Sequence, residues 1–146
     1  WPSPATPWLV LDRDGNGLID DGSELFGSMT RLGNGRLARN GFEALSQLDS
    51  NGDGRLDSAD IAWAHLKLWS DRNGDRVSQA QELTSLASAG VLSISLGYGV
   101  ERHCDQDGNC EVERAQFAWT DSKGCVRTGA AVDIHLSSVE LSQPTF

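Results

Sequence analysis

Residues 49–60 read DSNGDGRLDSAD, a run in which oxygen-bearing side chains recur at short, regular intervals. This pattern is typical of an EF-hand calcium loop, because Ca²⁺ takes about six to eight oxygen ligands and a short chain must wrap around the ion to supply them. With position 1 at the first aspartate, side-chain ligands belong at positions 1, 3, 5, 9 and 12, a bend at 6 and a carbonyl at 7. The predicted ligands of this segment, loop 2, are Asp49, Asn51, Asp53, the Arg55 carbonyl, Asp57 and Asp60.

A similar stretch, DRDGNGLIDDGSE, occupies residues 12–24 and is called loop 1. Its glycine at position 6 is Gly17, as the pattern requires. Its closing acid is at position 13, whereas that of loop 2 is at position 12. We therefore predict a loop lengthened by one residue, which closes if the following helix begins one residue later. Its predicted ligands are Asp12, Asp14, Asn16, the Leu18 carbonyl, Asp20 and Glu24.

Loop 3, residues 71–82, reads DRNGDRVSQAQE and departs from the pattern at its bend. Arg76 stands at position 6, so it must either adopt a left-handed backbone or shift the loop. The neutral Gln79 at position 9 is expected to act through water. The predicted ligands are Asp71, Asn73, Asp75, the Val77 carbonyl and Glu82. Binding by loop 3 is favoured, and a non-binding relic is the alternative, so the sequence predicts two to three calcium ions.

The negative charge of the chain is concentrated in these loops. The chain has a net charge of −9, and the three loops hold twelve of its 21 acidic residues with four arginines, a net −8. Concentrated acidity indicates a cation as partner and argues against nucleic acid, which requires a basic face. No apolar run approaches the roughly 20 residues that span a bilayer. Because the chain begins at Trp1 and has a single methionine, we expect a processed protein or a fragment.

The pattern of apolar residues predicts an α+β fold. Short strands are expected at 8–11 and 66–69, one helical turn at 24–27, and helices at about 40–48, 61–66 and 78–90, with Asn40 and Ser78 as N-caps. The segments 91–98, 111–119 and 125–136 predict a small antiparallel sheet. We predict one calcium-binding domain, 1–146, with an EF-hand-like half at 9–90 and a β-rich part at 91–146. The alternative is two lobes, 1–90 and 91–146.

The spacing of the loops argues against a calcium sensor. Only ten residues separate Asp60 from Asp71, too few for the two helices that join paired EF-hands. A static scaffold held by calcium is therefore favoured over a module that opens a groove.

The three cysteines are Cys104, Cys110 and Cys125. The first two flank a turn, so a disulfide between them is favoured and indicates secretion; reduced cysteines in the cytosol, or a pair that includes Cys125, remain alternatives. Residues 105–109, DQDGN, begin like a fourth site but lack a closing acid on a helix. We predict a hairpin tip there.

Four segments form an ordered series: DRDGNGLIDDGSELFG (12–27), GFEALSQLDSNGDGRLDSAD (41–60), LKLWSDRNGDRVSQAQEL (66–83) and GVLSISLGY (90–98). The series resembles the EF-hand-like calcium modules of large secreted bacterial proteins, including the self-processing module of iron-regulated RTX proteins. The resemblance implies an extracellular module and, in self-processing members, calcium-driven cleavage of an upstream Asp-Pro bond. No Asp-Pro occurs in this chain, since its prolines follow Trp1, Ser3, Thr6 and Gln143.

These observations favour a secreted structural or interaction module, whose partners are calcium and either another protein or a cell-surface component. We predict no enzymatic activity, because no G-x-S-x-G nucleophile motif is present and His65, His103 and His135 lack recognisable partners. A self-processing module whose cleavage site lies outside this chain is one alternative. A dockerin-like adhesion module is another, because loop 2 closes with aspartate, although the chain lacks two near-identical repeats.

Overall fold

The computed structural model describes residues 3 and 5–137, and they form mostly antiparallel β-structure. The strands are β1 (Trp8–Leu11), β2 (Arg55–Asp57), β3 (Leu66–Trp69), β4 (Leu83–Ser85), β5 (Val91–Ser95), β6 (Gly99–Cys104), β7 (Cys110–Thr120) and β8 (Val126–His135). The described part also contains one α-helix, α1 (Gly41–Ser46), and three separate 3₁₀ helices, at Gly22–Glu24, Ile61–His65 and Ala80–Glu82. None of its helices is long and apolar enough to cross a membrane. Residues 1, 2, 4 and 138–146, which the predicted domain includes, lie outside the described residues.

A small sheet has the order β1-β3-β4, with every neighbouring pair antiparallel. Trp8 lies opposite Trp69 in the β1–β3 pair, and Trp69 lies opposite Leu83 in the β3–β4 pair. Val10 and Trp69 are buried with Ile19 of loop 1 in a compact apolar cluster. The small sheet therefore carries loop 1 after β1 and loop 3 between β3 and β4.

The larger sheet is built around β7. Glu111 of β7 pairs with His103 of β6, and Phe117 pairs with Ile94 of β5, while β8 runs along the opposite edge for the length of β7. β2, which lies inside loop 2, pairs with β5. The main core collects apolar side chains from α1, loop 2, β3, β5 and β7; its buried members are Phe42, Leu45, Leu56, Trp63, Leu66, Leu86, Val91, Ile94 and Ala115.

The α+β, EF-hand-like prediction was wrong, because the described residues hold two antiparallel sheets and one six-residue α-helix. An EF-hand loop has a helix on each side. Here only loop 2 follows an α-helix, with Asn40 as the predicted N-cap accepting from the Glu43 N–H at 2.8 Å. The helix predicted at 61–66 is a five-residue 3₁₀ helix with Ile61 82 % exposed, and the turn predicted at 24–27 lies earlier, at Gly22–Glu24.

The helix predicted at 78–90 is mostly replaced by β4 and turns. The apolar spacing of Leu83 and Leu86 suggested a helix, but Leu83 pairs with Trp69 as the chain returns along β3. Ser78 caps no helix there; its hydroxyl accepts a hydrogen bond from loop 1. Pairing with a neighbouring strand has overridden local helix propensity. The strand predictions at 8–11 and 66–69 and the three later β-segments are confirmed.

Candidate metal centre

Loop 1 is held together by side-chain oxygens that accept backbone N–H groups. The carboxylate of Asp12 accepts from Gly15 and Gly17, each at 2.8 Å. The buried Glu24 accepts from the Arg13 N–H at 3.0 Å and the Asp20 N–H at 2.9 Å. Asp12 at the start of the loop and Glu24 at its end therefore both hydrogen-bond to backbone groups within the loop. The extra residue before the closing acid is part of the 3₁₀ turn at Gly22–Glu24.

Loop 2 repeats this arrangement with aspartate as the closing acid. Asp49 accepts from the N–H groups of Gly52 at 2.7 Å and Gly54 at 2.9 Å. Asp60 is 4 % exposed and accepts from Ser50 at 2.8 Å and Asp57 at 3.0 Å. The shorter closing side chain therefore reaches the same loop positions, 2 and 9, as Glu24 reaches in loop 1.

Loop 3 keeps the pattern despite its arginine. Asp71 accepts from Gly74 at 2.9 Å and Arg76 at 3.1 Å, and Glu82 accepts from Arg72 at 2.8 Å. The φ angle of Arg76 is 61°, a left-handed conformation like those of Gly17 at 85° and Gly54 at 83° in the equivalent positions. Arg76 therefore adopts the bend that glycine makes elsewhere, and the loop is not shifted.

The remaining predicted ligands occupy equivalent places in each loop. Position 5 accepts from the N–H of position 7 in all three, joining Asn16 to Leu18, Asp53 to Arg55 and Asp75 to Val77 at 2.8–3.0 Å. The carboxylates of Asp12, Asp14 and Glu24 offer oxygens within 4.8 Å of one another. Among the described residues, loops 2 and 3 form no such trio of carboxylates. Both have an asparagine at position 3, Asn51 and Asn73.

The amide groups in the loops donate to neighbouring carboxylates. Asn16 Nδ2 donates to Asp14 and Asp20, each at 3.0 Å. In loop 3, Asn73 Nδ2 and Gln79 Nε2 both donate to Asp75, at 2.8 and 2.9 Å. Calcium in proteins is bound by oxygen atoms. To bind an ion, these side-chain amides would have to rotate so that their oxygen, instead of their nitrogen, faces it.

The hydrogen bonds favour ionised carboxylates. Desolvation raises the pKa of Asp12, but the N–H groups of Gly17 and Gly15 outweigh it and leave that pKa below its ordinary value. The Asp57 N–H holds down the pKa of Asp60, and the Val77 N–H does the same for the pKa of Asp75. These groups carry their negative charge at neutral pH.

A buried hydrogen bond joins loops 1 and 3. The N–H of Ile19 donates to the hydroxyl of Ser78 at 2.7 Å, and both residues stand at position 8. In loop 2, position 8 is Leu56, which is fully buried and pairs with Ile94 of β5. Sequence reasoning missed the role of Ser78, because its partner lies 59 residues away along the chain.

The β-rich part holds two confirmed predictions, the disulfide and the hairpin tip, and one missed cluster. Cys104 and Cys110 form a disulfide, Cys125 is free and exposed, and residues 105–109 form a hairpin tip in which Asp105 accepts from the Asp107 and Asn109 N–H groups. The missed cluster is Glu113, Asp133 and His135. The alternate spacing of Asp133 and His135 in a strand was its only signal in the sequence.

Two comparisons with known proteins find similarity over most of the chain. The SPM domain model matches residues 1–137. The chain is also similar to the iron-regulated protein FrpA of Neisseria meningitidis serogroup C, with 41 % identity over 121 residues. That alignment covers 83 % of this chain and 11 % of FrpA, so the chain spans a small part of its relative.

Proposed function

The chain belongs to the SPM domain family, and we propose that this member is an extracellular calcium-binding module in which ions at loops 1, 2 and 3 stabilise the fold. The observation that carries the proposal is the hydrogen-bond pattern that the three loops share. In each loop the carboxylate at position 1 accepts the N–H groups of positions 4 and 6, and a buried closing acid accepts the N–H of position 2. Loops of different sequence thus keep one backbone geometry.

Electrostatics support a bound cation. The three loops together carry a net charge of −8, and the closing acids Glu24, Asp60 and Glu82 are at most 4 % exposed. Buried like charges repel unless a counter-ion balances them. A divalent ion would offset this repulsion and bring the oxygen ligands together.

Calcium would act here as a structural ion. A ligand that binds only the folded state stabilises it by about 2.7 kcal/mol per site at a concentration of 100 times its Kd. Extracellular calcium modules have a Kd of about 10⁻⁴–10⁻³ M, so their sites fill outside the cell and stay empty in the cytosol. The disulfide between Cys104 and Cys110 supports an oxidising compartment. The partner of such a module would be another protein or a cell-surface component.

A calcium titration of the full chain tests this proposal. We expect calorimetry to count two to three ions and the melting temperature to rise with calcium and fall with EGTA. Asp49→Asn should remove one ion, because it takes a charge from position 1 of loop 2. The matched control is Asp105→Asn, since Asp105 holds a similar turn in the hairpin tip outside the three loops.

Two results would reject calcium binding by these loops. One is a melting temperature that ignores both calcium and EGTA. The other is an Asp49→Asn variant that keeps the ion count of the wild type while remaining folded by circular dichroism.

Self-processing is a second candidate function, supported by the resemblance to self-processing modules and the 41 % identity to part of FrpA. This chain contains no Asp-Pro bond, so cleavage would have to fall on a segment attached to it. Fusing an Asp-Pro-containing peptide ahead of Trp1 and adding calcium tests the idea. Calcium-dependent cleavage at that bond supports it, and an intact fusion with calcium-filled loops contradicts it.

A further inference from the structure

A second group of metal-ligating side chains lies in the larger sheet, away from the three loops. Glu113 is on β7, and Asp133 and His135 lie two residues apart on β8, so their side chains point to the same face. The β7–β8 register shifts between Glu111 and Arg114, which marks a bulge. Bulges re-aim side chains and are over-represented next to functional sites. Here the consecutive residues Val112 and Glu113 are both buried, so the bulge turns Glu113 inward.

The distances within this group suit a small metal ion. His135 Nε2 lies 2.9 Å from Glu113 Oε2 and 3.6 Å from Asp133 Oδ2, and the three ligand atoms lie within 4.8 Å of one another. Bond lengths of about 2.0–2.2 Å in a tetrahedral zinc site place neighbouring ligand atoms about 3.3 Å apart. The observed separations bracket that value.

The charges of the group call for a divalent ion. The side chains of Glu113 and Asp133 are only 10 and 9 % exposed. A protonated imidazole would balance one of the two carboxylates, whereas a divalent ion bound to a neutral imidazole balances both. Burying an unbalanced charge is costly, so the second arrangement is favoured.

A helix end holds one of the three ligands in place. Asp133 accepts the N–H of Gly41, the first residue of α1, at 2.6 Å. A Cβ at Gly41 would lie 3.2 Å from the Asp133 carboxylate and 3.1 Å from the Phe26 carbonyl, so glycine permits this close approach. Such outer hydrogen bonds orient metal ligands and are part of a metal site.

We propose that Glu113, Asp133 and His135 bind a divalent transition metal of the Zn²⁺ type, with water at the fourth position. The imidazole nitrogen distinguishes this site from the loops, since calcium prefers an all-oxygen shell and imidazole favours zinc and its neighbours. The site is separate from the proposed calcium loops and does not depend on them. Because Asp133 contacts α1, the metal would tie the β7–β8 hairpin to the helix that leads into loop 2.

The test is a titration of the calcium-saturated full chain with Zn²⁺, followed by calorimetry, and with Co²⁺, followed by visible absorption. Saturating calcium keeps the probe ions out of the acidic loops. We expect one Zn²⁺ per chain and a tetrahedral Co²⁺ spectrum. His135→Gln and Glu113→Gln should each weaken binding by about tenfold or more. The matched control is His103→Gln, an exposed histidine that contacts Glu101 at 3.1 Å and lies outside the site.

The proposal is overturned if the wild type binds no stoichiometric Zn²⁺, or if folded His135→Gln binds as tightly as the wild type. If neither variant folds, the imidazole NMR signals of the wild type decide the question. Zn²⁺ should shift the His135 signals first; earlier shifts at His65 or His103 would place the metal elsewhere.

Discussion

Loops 1 and 3 belong to the small sheet, whereas loop 2 joins α1 to the larger sheet. After loop 1 and after loop 3, the chain returns antiparallel to the strand that precedes the loop. Leu25 pairs with Val10 after loop 1, and Leu83 pairs with Trp69 after loop 3. Loop 2 instead follows a helix and contributes β2, inside the loop, to the larger sheet. One loop geometry thus serves as a hairpin connection in two places and as a helix-to-strand connection in the third.

The position-8 residue shows what distinguishes the two settings. Ser78 joins loops 1 and 3 directly by a polar contact, and Leu56 anchors loop 2 by apolar packing. We therefore expect calcium binding at loop 1 to be coupled to calcium binding at loop 3. The stability of loop 2 is expected to depend mainly on packing in the main core.

The largest predicted effect is that of Leu56→Ala. Leu56 is fully buried in the main core, so truncation should cost about 2–5 kcal/mol of unfolding free energy by leaving a cavity. Denaturant unfolding in saturating calcium measures the loss. The control is Leu92→Ala on β5. Leu92 is 44 % exposed, so its truncation should lower the free energy of unfolding much less. Equal losses in the two variants would break the assignment of loop 2 to the core.

A smaller effect is expected from Ser78→Ala. The substitution leaves the buried N–H of Ile19 without its acceptor, at a cost of about 1–3 kcal/mol. It should also weaken any coupling between calcium binding at loops 1 and 3, measured by calorimetry. Ser58→Ala at an exposed position of loop 2 is the control. Unchanged stability in Ser78→Ala would remove the proposed link between the loops.

Arg76→Gly should stabilise loop 3 relative to Arg76→Ala by about 1 kcal/mol, because only glycine adopts φ of 61° without strain. Both substitutions remove the arginine side chain, so the difference between them isolates the backbone. Thermal unfolding with and without calcium measures it. A more stable alanine variant would contradict a left-handed bend at this position.

Glu43 lies on α1, the helix before loop 2, and its carboxylate is expected to have the smallest effect. A hydrogen bond from Arg36, followed by the Arg39 N–H, lowers the pKa of Glu43 from 4.5 to about 2. Its contribution to stability is therefore full above pH 4.5 and is lost as the pH falls toward about 2. A carboxyl NMR titration should find the low pKa in the wild type and a higher one in Arg36→Gln. An ordinary pKa for Glu43 in the wild type would contradict the arrangement.

The sequence predicted the features that depend on neighbouring residues. Strands such as β1 and β3, the Asn40 cap and the turn at Asp107-Gly108 follow from local chemistry and were found where expected. The three acidic loops could likewise be predicted from the sequence, because the proposed ligands of each lie within about a dozen residues. Calcium binding by those ligands stays a prediction.

Features set by distant residues could not be predicted from the sequence. The pairing of Leu83 with Trp69 replaced a helix with a strand, and no local pattern announces the partner of Ser78. The Glu113 cluster depends on a bulge that turns one side chain against the normal alternation of a strand. Such contacts are decided by tertiary packing, which local propensity does not encode.

The hairpin formed by β3, loop 3 and β4 has a consequence for folding kinetics. Its connection is loop 3, a proposed calcium site, so an ion that orders this segment would act before any contact distant in sequence has formed. Local contacts close faster than distant ones such as Trp8 with Trp69. We expect calcium to raise the folding rate as well as to slow unfolding, so the hairpin would nucleate first where calcium is abundant.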